Sequence, residues 1–159
     1  MATAPRITII NDTGAIVASW NCGTVQASNY SGILTIKVWN NKGGSAAVSD
    51  LKDASITTVD IDGGQSSDVV AGQWVQVNVP KMDGSEDTWT QIGGSKTKFI
   101  RADGLGSAVG NVIRGDVNDG ADTEANAKNY ATCRLRVHVP LNATPGTKMW
   151  KTRLNGYYV

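Results

Sequence analysis

Strict alternation of apolar and polar residues over short segments is the feature that most constrains this chain. The pattern runs through residues 33–39, 74–79 and 134–139. The aligned apolar residues are Leu34, Ile36 and Val38, then Val75, Val77 and Val79, then Leu135, Val137 and Val139. Because successive side chains of a strand point to opposite faces, this period predicts strands with one buried face and one solvated face. Such strands are typical of antiparallel sheets.

Turn-forming residues separate these segments and several weaker ones. Further strands are expected at 6–10, 15–20, 54–60, 97–102, 111–114 and 147–158. Turns rich in Asn, Asp and Gly, such as 11–14 and 41–44, supply residues that tolerate positive φ. No window has a helical stripe, and residues 119–129 are expected to form one short helix or a mobile loop. Eight or more short strands predict an all-β chain, an antiparallel immunoglobulin-like or jelly-roll β-sandwich.

The length of 159 residues suits a single domain, which we place at 1–159. Residues 1–5 are interpreted as a flexible arm, because chain ends are poorly ordered unless something holds them. Residues 103–128 are the least apolar stretch and predict a long loop or insertion. Long loops in compact domains are usually functional or disordered. Contact with another molecule is therefore one interpretation of this loop, and a solvated loop without a role is the other.

Charge and hydropathy exclude several classes of partner. The chain has 15 basic and 14 acidic residues, a net charge of +1, and so lacks the basic stripe of a nucleic-acid binder. It has no polybasic anchor for anionic lipid. Its first residues lack a charged segment followed by an apolar one, so no signal peptide is recognised. No apolar run is long enough to cross a bilayer. We expect a protein made in a cytoplasm, with neither nucleic acid nor membrane as a partner.

The residues that could carry chemistry are few and scattered. Cys22 and Cys133 lie far apart without a CxxC motif, and we expect two free, buried thiols. A disulfide between the first and last strand regions is the alternative, which cytoplasmic synthesis disfavours. The one histidine, His138, lies on the polar face of a strand, and no G-x-S-x-G motif supplies a nucleophile for it. The sequence predicts no catalytic residue, no zinc site and no enzyme.

An acidic cluster at 115–124 is the best candidate cation site, and the segment 60–63 is a weaker one. Its possible oxygen ligands are Asp116, Asn118, Asp119, Asp122 and Glu124. Oxygen ligands suit calcium. However, Gly120 comes one residue too early for the D-x-[DN]-x-[DN]-G frame of an EF-hand loop. A solvated acidic loop is therefore favoured over a calcium site, and no cofactor is expected.

The aromatic residues are the candidate interface. Trp39 and Trp74 are out of phase with the apolar faces of their strands, which places both rings on outer faces or at strand ends. Three interpretations stay open: cover by the long loop of the same chain, a protein interface, or a platform for sugars. Trp150, Tyr157 and Tyr158 mark the last strand as a candidate to pair or pack with a partner, because sheet edges must be managed.

Two parts of the sequence resemble immunoglobulin-like modules. Residues 23–25, the strand 31–39 and the turn 40–44 are similar to the opening of such modules, where an N-x-G turn follows an early strand. Residues 137–140 and 143–147 resemble the V-x-V-P-x-x-A-x-x-G segment near their last hairpin. This resemblance implies a sandwich and is specific for fold rather than for function.

A looser resemblance spans most of the chain. The order of the segments 38–44, 92–94, 113–115 and 140–146, with Tyr157 and Tyr158 at the end, resembles small structural proteins of tailed bacteriophages and prophages. This resemblance implies a virion component that has no catalytic residues. Assembly into a particle inside the host cytoplasm would also explain a surface module without an export signal.

The sequence thus favours a decoration or cement protein on the outer phage shell. Its expected partner is the major capsid protein or another virion protein, and a homo-oligomer is expected because shell sites are repeated symmetrically. One alternative places the protein in the tail, baseplate or fibre of the virion. The other is a carbohydrate-binding module for a cell-surface glycan, which predicts Trp39 or Trp74 exposed in a concave patch.

Overall fold

The computed structural model describes residues 2–159 and arranges them in two antiparallel sheets. The strands are β1 Ile7–Asn11, β2 Leu34–Asn40, β3 Lys52–Val59, β4 Val75–Asn78, β5 Thr90–Ile92, β6 Lys98–Phe99, β7 Tyr130–Val137 and β8 Lys151–Tyr157. A five-stranded sheet has the order β1-β2-β7-β4-β5, and a three-stranded sheet has the order β6-β3-β8. The predicted all-β sandwich is confirmed.

The strand order matches that of a jelly roll in which one strand is displaced. An eight-stranded jelly roll wraps like one long folded hairpin, so its strands pair first with eighth, second with seventh, third with sixth and fourth with fifth. The pairs β2–β7, β3–β6 and β4–β5 are all present. However, β1 pairs with β2 instead of β8. Of the two architectures that the sequence left open, the jelly roll is therefore the one observed, and among residues 2–159 no strand lies beside the outer edge of β8.

The inner faces of the two sheets build the core that the alternation predicted. It includes Ile36 and Val38 of β2, Val75 and Val77 of β4, and Cys133, Leu135 and Val137 of β7. The prediction of a solvated face is wrong for β4, where Gln76 and Asn78 are 8% and 0% exposed. Their burial is tolerated because the side-chain NH2 group of Asn78 and the side-chain oxygen of Gln76 have partners. The Asn78 amide donates to the Ser85 and Thr88 carbonyls at 2.8 Å, and Gln76 accepts from Arg136.

Two of the weaker predicted strands shrink to single bridges. The 15–20 segment contributes only the bridge from Ile16 to Ile10, and the 111–114 segment only the bridge from Ile113 to Leu51. Beside the second bridge, β3 has a bulge at which its register with β8 shifts and Asp53 has a φ of 48°; beyond it the Ala54 N–H group donates to the Asn111 carbonyl at 2.9 Å. Such a bulge bends the strand and interrupts pairing.

Helical structure is limited to short turns. They are α1 Asp68–Ala71, α2 Pro80–Asp83 and two 3₁₀ helices, Ser107–Val109 and Glu124–Asn129. The short helix expected within 119–129 is thus one 3₁₀ segment. Across residues 2–159, no helix combines the length and the apolar character needed to span a membrane.

Both ends of the described chain meet at Ser49. The Ser49 amide donates to the Thr3 carbonyl at 2.8 Å, and the Ser49 hydroxyl donates to the Val159 carbonyl at 3.2 Å. The predicted flexible arm at 1–5 includes Met1, which lies outside the described residues. In the part that is described, Thr3 is attached to the sandwich by a backbone hydrogen bond.

Candidate functional site

Trp39 lies on the outward face of the five-stranded sheet and is fully buried. Its ring contacts that of Tyr130 at a centroid distance of 4.6 Å, and both pack with Ile10 and Ala127. Ala127 belongs to the 3₁₀ helix at the end of the long excursion, residues 103–128. The excursion therefore covers the tryptophan. The predicted outer-face position is correct, but the ring is available neither for a partner nor for a sugar.

The long excursion is held against the sandwich by an asparagine cluster, Asn40, Asn41 and Asn129. The side-chain NH2 group of Asn41 donates to the Gly115 carbonyl at 3.0 Å, and that of Asn129 donates to the Asp116 carbonyl at 2.8 Å. The Asn40 amide donates to the Ser49 carbonyl at 2.9 Å. The sequence marked residues 40–44 only as a turn. The signal that it offered for this cluster is the pair of consecutive asparagines at the end of a strong strand.

Close backbone approach also holds the excursion in place. A Cβ atom at Gly115 would lie 2.2 Å from the Val48 carbonyl oxygen, so only glycine fits there. On the opposite flank, the amide and hydroxyl of Thr132 donate to Asp103. Burial of Asp103 raises the pKa of its carboxyl group, and the Thr132 hydrogen bonds partly offset this. The excursion thus contacts its own domain along its length.

The acidic residues proposed as calcium ligands point in different directions. Asp116 pairs with Lys128 at 3.0 Å, and Asp122 pairs with Lys37, whose hydrogen bond lowers the pKa of that carboxyl group. The side-chain Oδ1 atom of Asn118 accepts from the backbone N–H groups of Gly43 and Gly120. The two remaining candidates are Asp119, which accepts from Ala121 and Asn126, and Glu124, in the 3₁₀ helix. Among residues 2–159, no group of three or more His, Cys, Asp or Glu side chains is placed to hold a metal ion.

Trp74 is 7% exposed and forms part of the wall of an open groove of about 1070 Å³ between residues 20–27 and 143–150. Trp20 and Trp150 line the same groove and meet edge to face, with centroids 6.2 Å apart and perpendicular planes. Perpendicular rings do not provide the flat platform on which a sugar ring stacks. With Trp39 buried as well, the exposed tryptophan that the glycan alternative predicted is not present at either position.

Both cysteines are free, as the sequence predicted. Cys133 is buried in the core, which raises the pKa of its thiol to about 12. Cys22 lines the groove and is only half-buried, in contrast to the expected full burial, yet desolvation raises the pKa of its thiol too. Because the thiolate is the nucleophilic form, both environments disfavour thiol chemistry.

His138 belongs to a stacked cluster that the sequence did not reveal. Its ring stacks on that of Tyr30 at 4.5 Å, and the Arg136 guanidinium lies between Tyr30 and Trp89, 4.0 and 4.1 Å from their centroids. The Arg136 Nε atom also donates to Gln76 at 2.8 Å. Tyr30 and Trp89 come from connecting segments, so strand periodicity could not place them. His138 is consequently half-buried instead of exposed.

The outward face of the three-stranded sheet combines aromatic and basic residues. The members that reach solvent, which we call the three-stranded face, are the exposed Phe99, Lys151, Arg153 and Tyr157 and the half-buried Asn155. Register places them together, because Ser55 of β3 lies opposite both Phe99 and Asn155. Phe99 and Tyr157 are 49% and 51% exposed. Strand β8 carries Lys151 and Arg153 and no acidic residue.

The end of the chain extends this surface. Tyr158 and Val159, which follow β8, are 48% and 75% exposed. Of the predicted interface residues, Tyr157 and Tyr158 are therefore exposed next to one another. Trp150 lies just before β8, half-buried against Trp20. The structure thus separates the five predicted residues into two buried tryptophans and three residues at the C-terminal strand.

The chain matches no protein-family model, and searches against curated proteins and against solved structures give no significant match.

Proposed function

We propose that the protein is a non-enzymatic virion structural protein, a decoration protein that binds the outer shell of a phage capsid through the three-stranded face. The observation that supports this proposal is the exposure of Phe99 and Tyr157 beside the cations Lys151 and Arg153 on one regular surface. Aromatic residues and arginine are enriched in protein interfaces. The fold itself carries no functional argument, because one fold serves many functions.

The chemistry of the face suggests the kind of surface that it binds. Two exposed cations without an acidic residue on β8 favour an acidic patch on the shell protein. Exposed charges act over about 8 Å at physiological ionic strength. Binding is therefore expected to weaken as salt concentration rises, while the aromatic contacts provide the part that salt does not screen.

Copy number in purified particles tests the proposal most directly. Quantitative mass spectrometry would compare this chain with the major capsid protein. A decoration protein is expected at hundreds of copies, in proportion to the repeated sites of the shell. A handful of copies would favour the alternative of a tail, baseplate or fibre component. Absence from particles would contradict both.

A binding assay on shells that lack the protein tests the surface itself. The variant Tyr157→Ser/Tyr158→Ser is expected to lose at least tenfold in affinity, because truncated aromatic anchors commonly cost more than 1.4 kcal/mol. Tyr30→Ser is the matched control, since Tyr30 is also 51% exposed but lies with Arg136 on the five-stranded sheet. Equal loss in both variants would show that the three-stranded face is not the docking surface.

A further inference from the structure

The outer edge of β8 is an unused row of backbone hydrogen-bonding groups. In an eight-stranded jelly roll the first strand would occupy this position, but β1 pairs with β2 on the other sheet. Over residues 2–159, the backbone bonds of β8 are those of its ladder with β3. At seven residues, β8 is a long edge strand, and such edges attract other strands unless they are blocked.

The direction of each backbone group on β8 follows from the bonds of β3. The Ala54 and Thr58 carbonyls accept from Ile100 and Gly94, on the β6 side. Because neighbouring residues of a strand alternate in direction, the odd-numbered residues of β3 point towards β8. They lie opposite the odd-numbered residues of β8. The residues whose N–H and C=O groups point to the open edge are therefore Thr152, Leu154 and Gly156.

We propose that β8 pairs with β8 of a second copy in a two-fold antiparallel arrangement centred on Leu154, which joins the two three-stranded sheets into one six-stranded sheet. In this register Leu154 faces its own copy and Thr152 faces Gly156, so every edge-directed group is paired. All seven residues of each strand take part. On the outward side, Lys151 lies opposite Tyr157 and Arg153 lies opposite Asn155.

Length and charge together select this register among those that the backbone permits. Pairs centred on Asn155 or Gly156 bring no like charges opposite each other, but they pair only five or three residues of each β8 strand instead of seven. Edge-directed residues must face edge-directed residues, so the register shifts in steps of two residues along one strand. Centring the pair on Arg153 places two arginines directly opposite each other. Centring it on Thr152 places Lys151 opposite Arg153. Like charges directly opposite are destabilising, whereas a cation beside an aromatic ring is favourable.

A second copy fits this edge better than a strand of another protein, because β8 is complementary to itself. Its two cations lie in one half of the strand, and Asn155 and Tyr157 lie in the other half. When two copies pair antiparallel, the cationic half of each β8 strand lies opposite the half of the other that carries Asn155 and Tyr157, so this contact forms twice. The pairing would also double the three-stranded face into one continuous surface. It does not depend on a virion role, and its test uses the purified protein alone.

Disulfide trapping tests the register directly. In a Cys22→Ser background, Arg153→Cys and Asn155→Cys chains would be oxidised mildly, separately and as an equimolar mixture. The proposed register places positions 153 and 155 directly opposite, so the mixture is expected to give disulfide-linked dimers and neither chain alone is expected to give any. Cross-linking of Arg153→Cys with itself would indicate the register centred on Arg153, and cross-linking of Asn155→Cys with itself would indicate the register centred on Asn155. Either result would overturn the proposal. No cross-linking in any sample would do the same.

A proline substitution tests whether the two copies pair through the open edge of β8. Thr152→Pro removes one N–H group that points to the open edge and leaves the ladder with β3 intact, and proline is tolerated on such edges. Light scattering is expected to give twice the 16.8 kDa chain mass for the wild type and for the control Thr152→Val, and the monomer mass for Thr152→Pro. A wild type that stays monomeric at its highest soluble concentration would overturn the proposal. So would a folded Thr152→Pro variant that remains dimeric. If Thr152→Pro does not fold, the disulfide test decides alone.

Discussion

The two sheets of this molecule differ in how completely their surfaces are covered. The five-stranded sheet is covered on both faces, by the other sheet inside and by residues 103–128 and the stacked Arg136 cluster outside. The three-stranded sheet leaves the outer edge of β8 open, and its outward face is exposed along β8 and at Phe99, whereas the outward residues of β3 are buried. The sheet whose strands show the strictest alternation in the sequence is thus the one whose surface is least available to another molecule. Weak alternation in a terminal strand can mark the surface that a partner uses.

Thiol accessibility should show the largest difference between the regions. Cys133 lies in the core of the five-stranded sheet, so its labelling requires the domain to open, whereas Cys22 lies in the open groove. We expect the native protein to label at Cys22 at least about 10³-fold faster than at Cys133. Mass spectrometry of iodoacetamide adducts would measure both rates, and Cys22→Ser should abolish fast labelling. Comparable rates at the two cysteines would show that the covered sheet opens readily.

Truncating a buried and an exposed aromatic residue should give the next largest contrast. Trp39→Ala removes a fully buried ring and is expected to lower the free energy of unfolding by about 3–5 kcal/mol. Tyr158→Ala, at an exposed position, should change it by no more than about 0.5 kcal/mol. Urea denaturation would measure both. Similar losses would mean that the chain end contributes to the domain as much as the covered face does.

A single methyl group at Gly115 should loosen the excursion from the sandwich. Because a Cβ atom would lie 2.2 Å from the Val48 carbonyl oxygen, Gly115→Ala is expected to cost about 1–3 kcal/mol. The control is Gly32→Ala, where no atom lies within 4 Å of the added carbon. Hydrogen exchange should rise in residues 111–118 of the first variant only. An unchanged exchange pattern would contradict the close fit.

The ion pair of Asp122 and Lys37 should contribute the smallest effect. The folded pKa of Asp122 lies below the usual 3.8, so this carboxylate stabilises the fold above that pH and loses its contribution as pH falls through the lowered pKa. The Asp122 side chain is 56% exposed, so solvent screening limits the contribution to about 0.2–1 kcal/mol. Asp122→Asn should therefore be less stable than the wild type at pH 7 and nearly equal to it at the acid end. A difference independent of pH would refute this assignment.

The strands with strict alternation could be predicted from the sequence, because burial of one face imposes a period of two. The pairing of β1 could not, since β1 pairs antiparallel with β2 here and would pair antiparallel with β8 in a complete jelly roll. The cover over Trp39 was only one of three interpretations, because periodicity identifies the face of a residue but not what packs on it. Tyr157 and Tyr158 could be predicted to be exposed, because aromatic residues clustered at the end of a polar strand have no core position to fill.

Because Thr3 and Val159 both accept hydrogen bonds from Ser49, the two ends of the described chain lie close together. A short engineered linker could join the two ends, and new ends could be opened at the exposed turn 62–64, a kind of site that usually tolerates circular permutation. In such a permutant β8 would lead directly into β1 by a covalent connection. The two sheets would then be tethered through the same strands that a complete jelly roll would have paired.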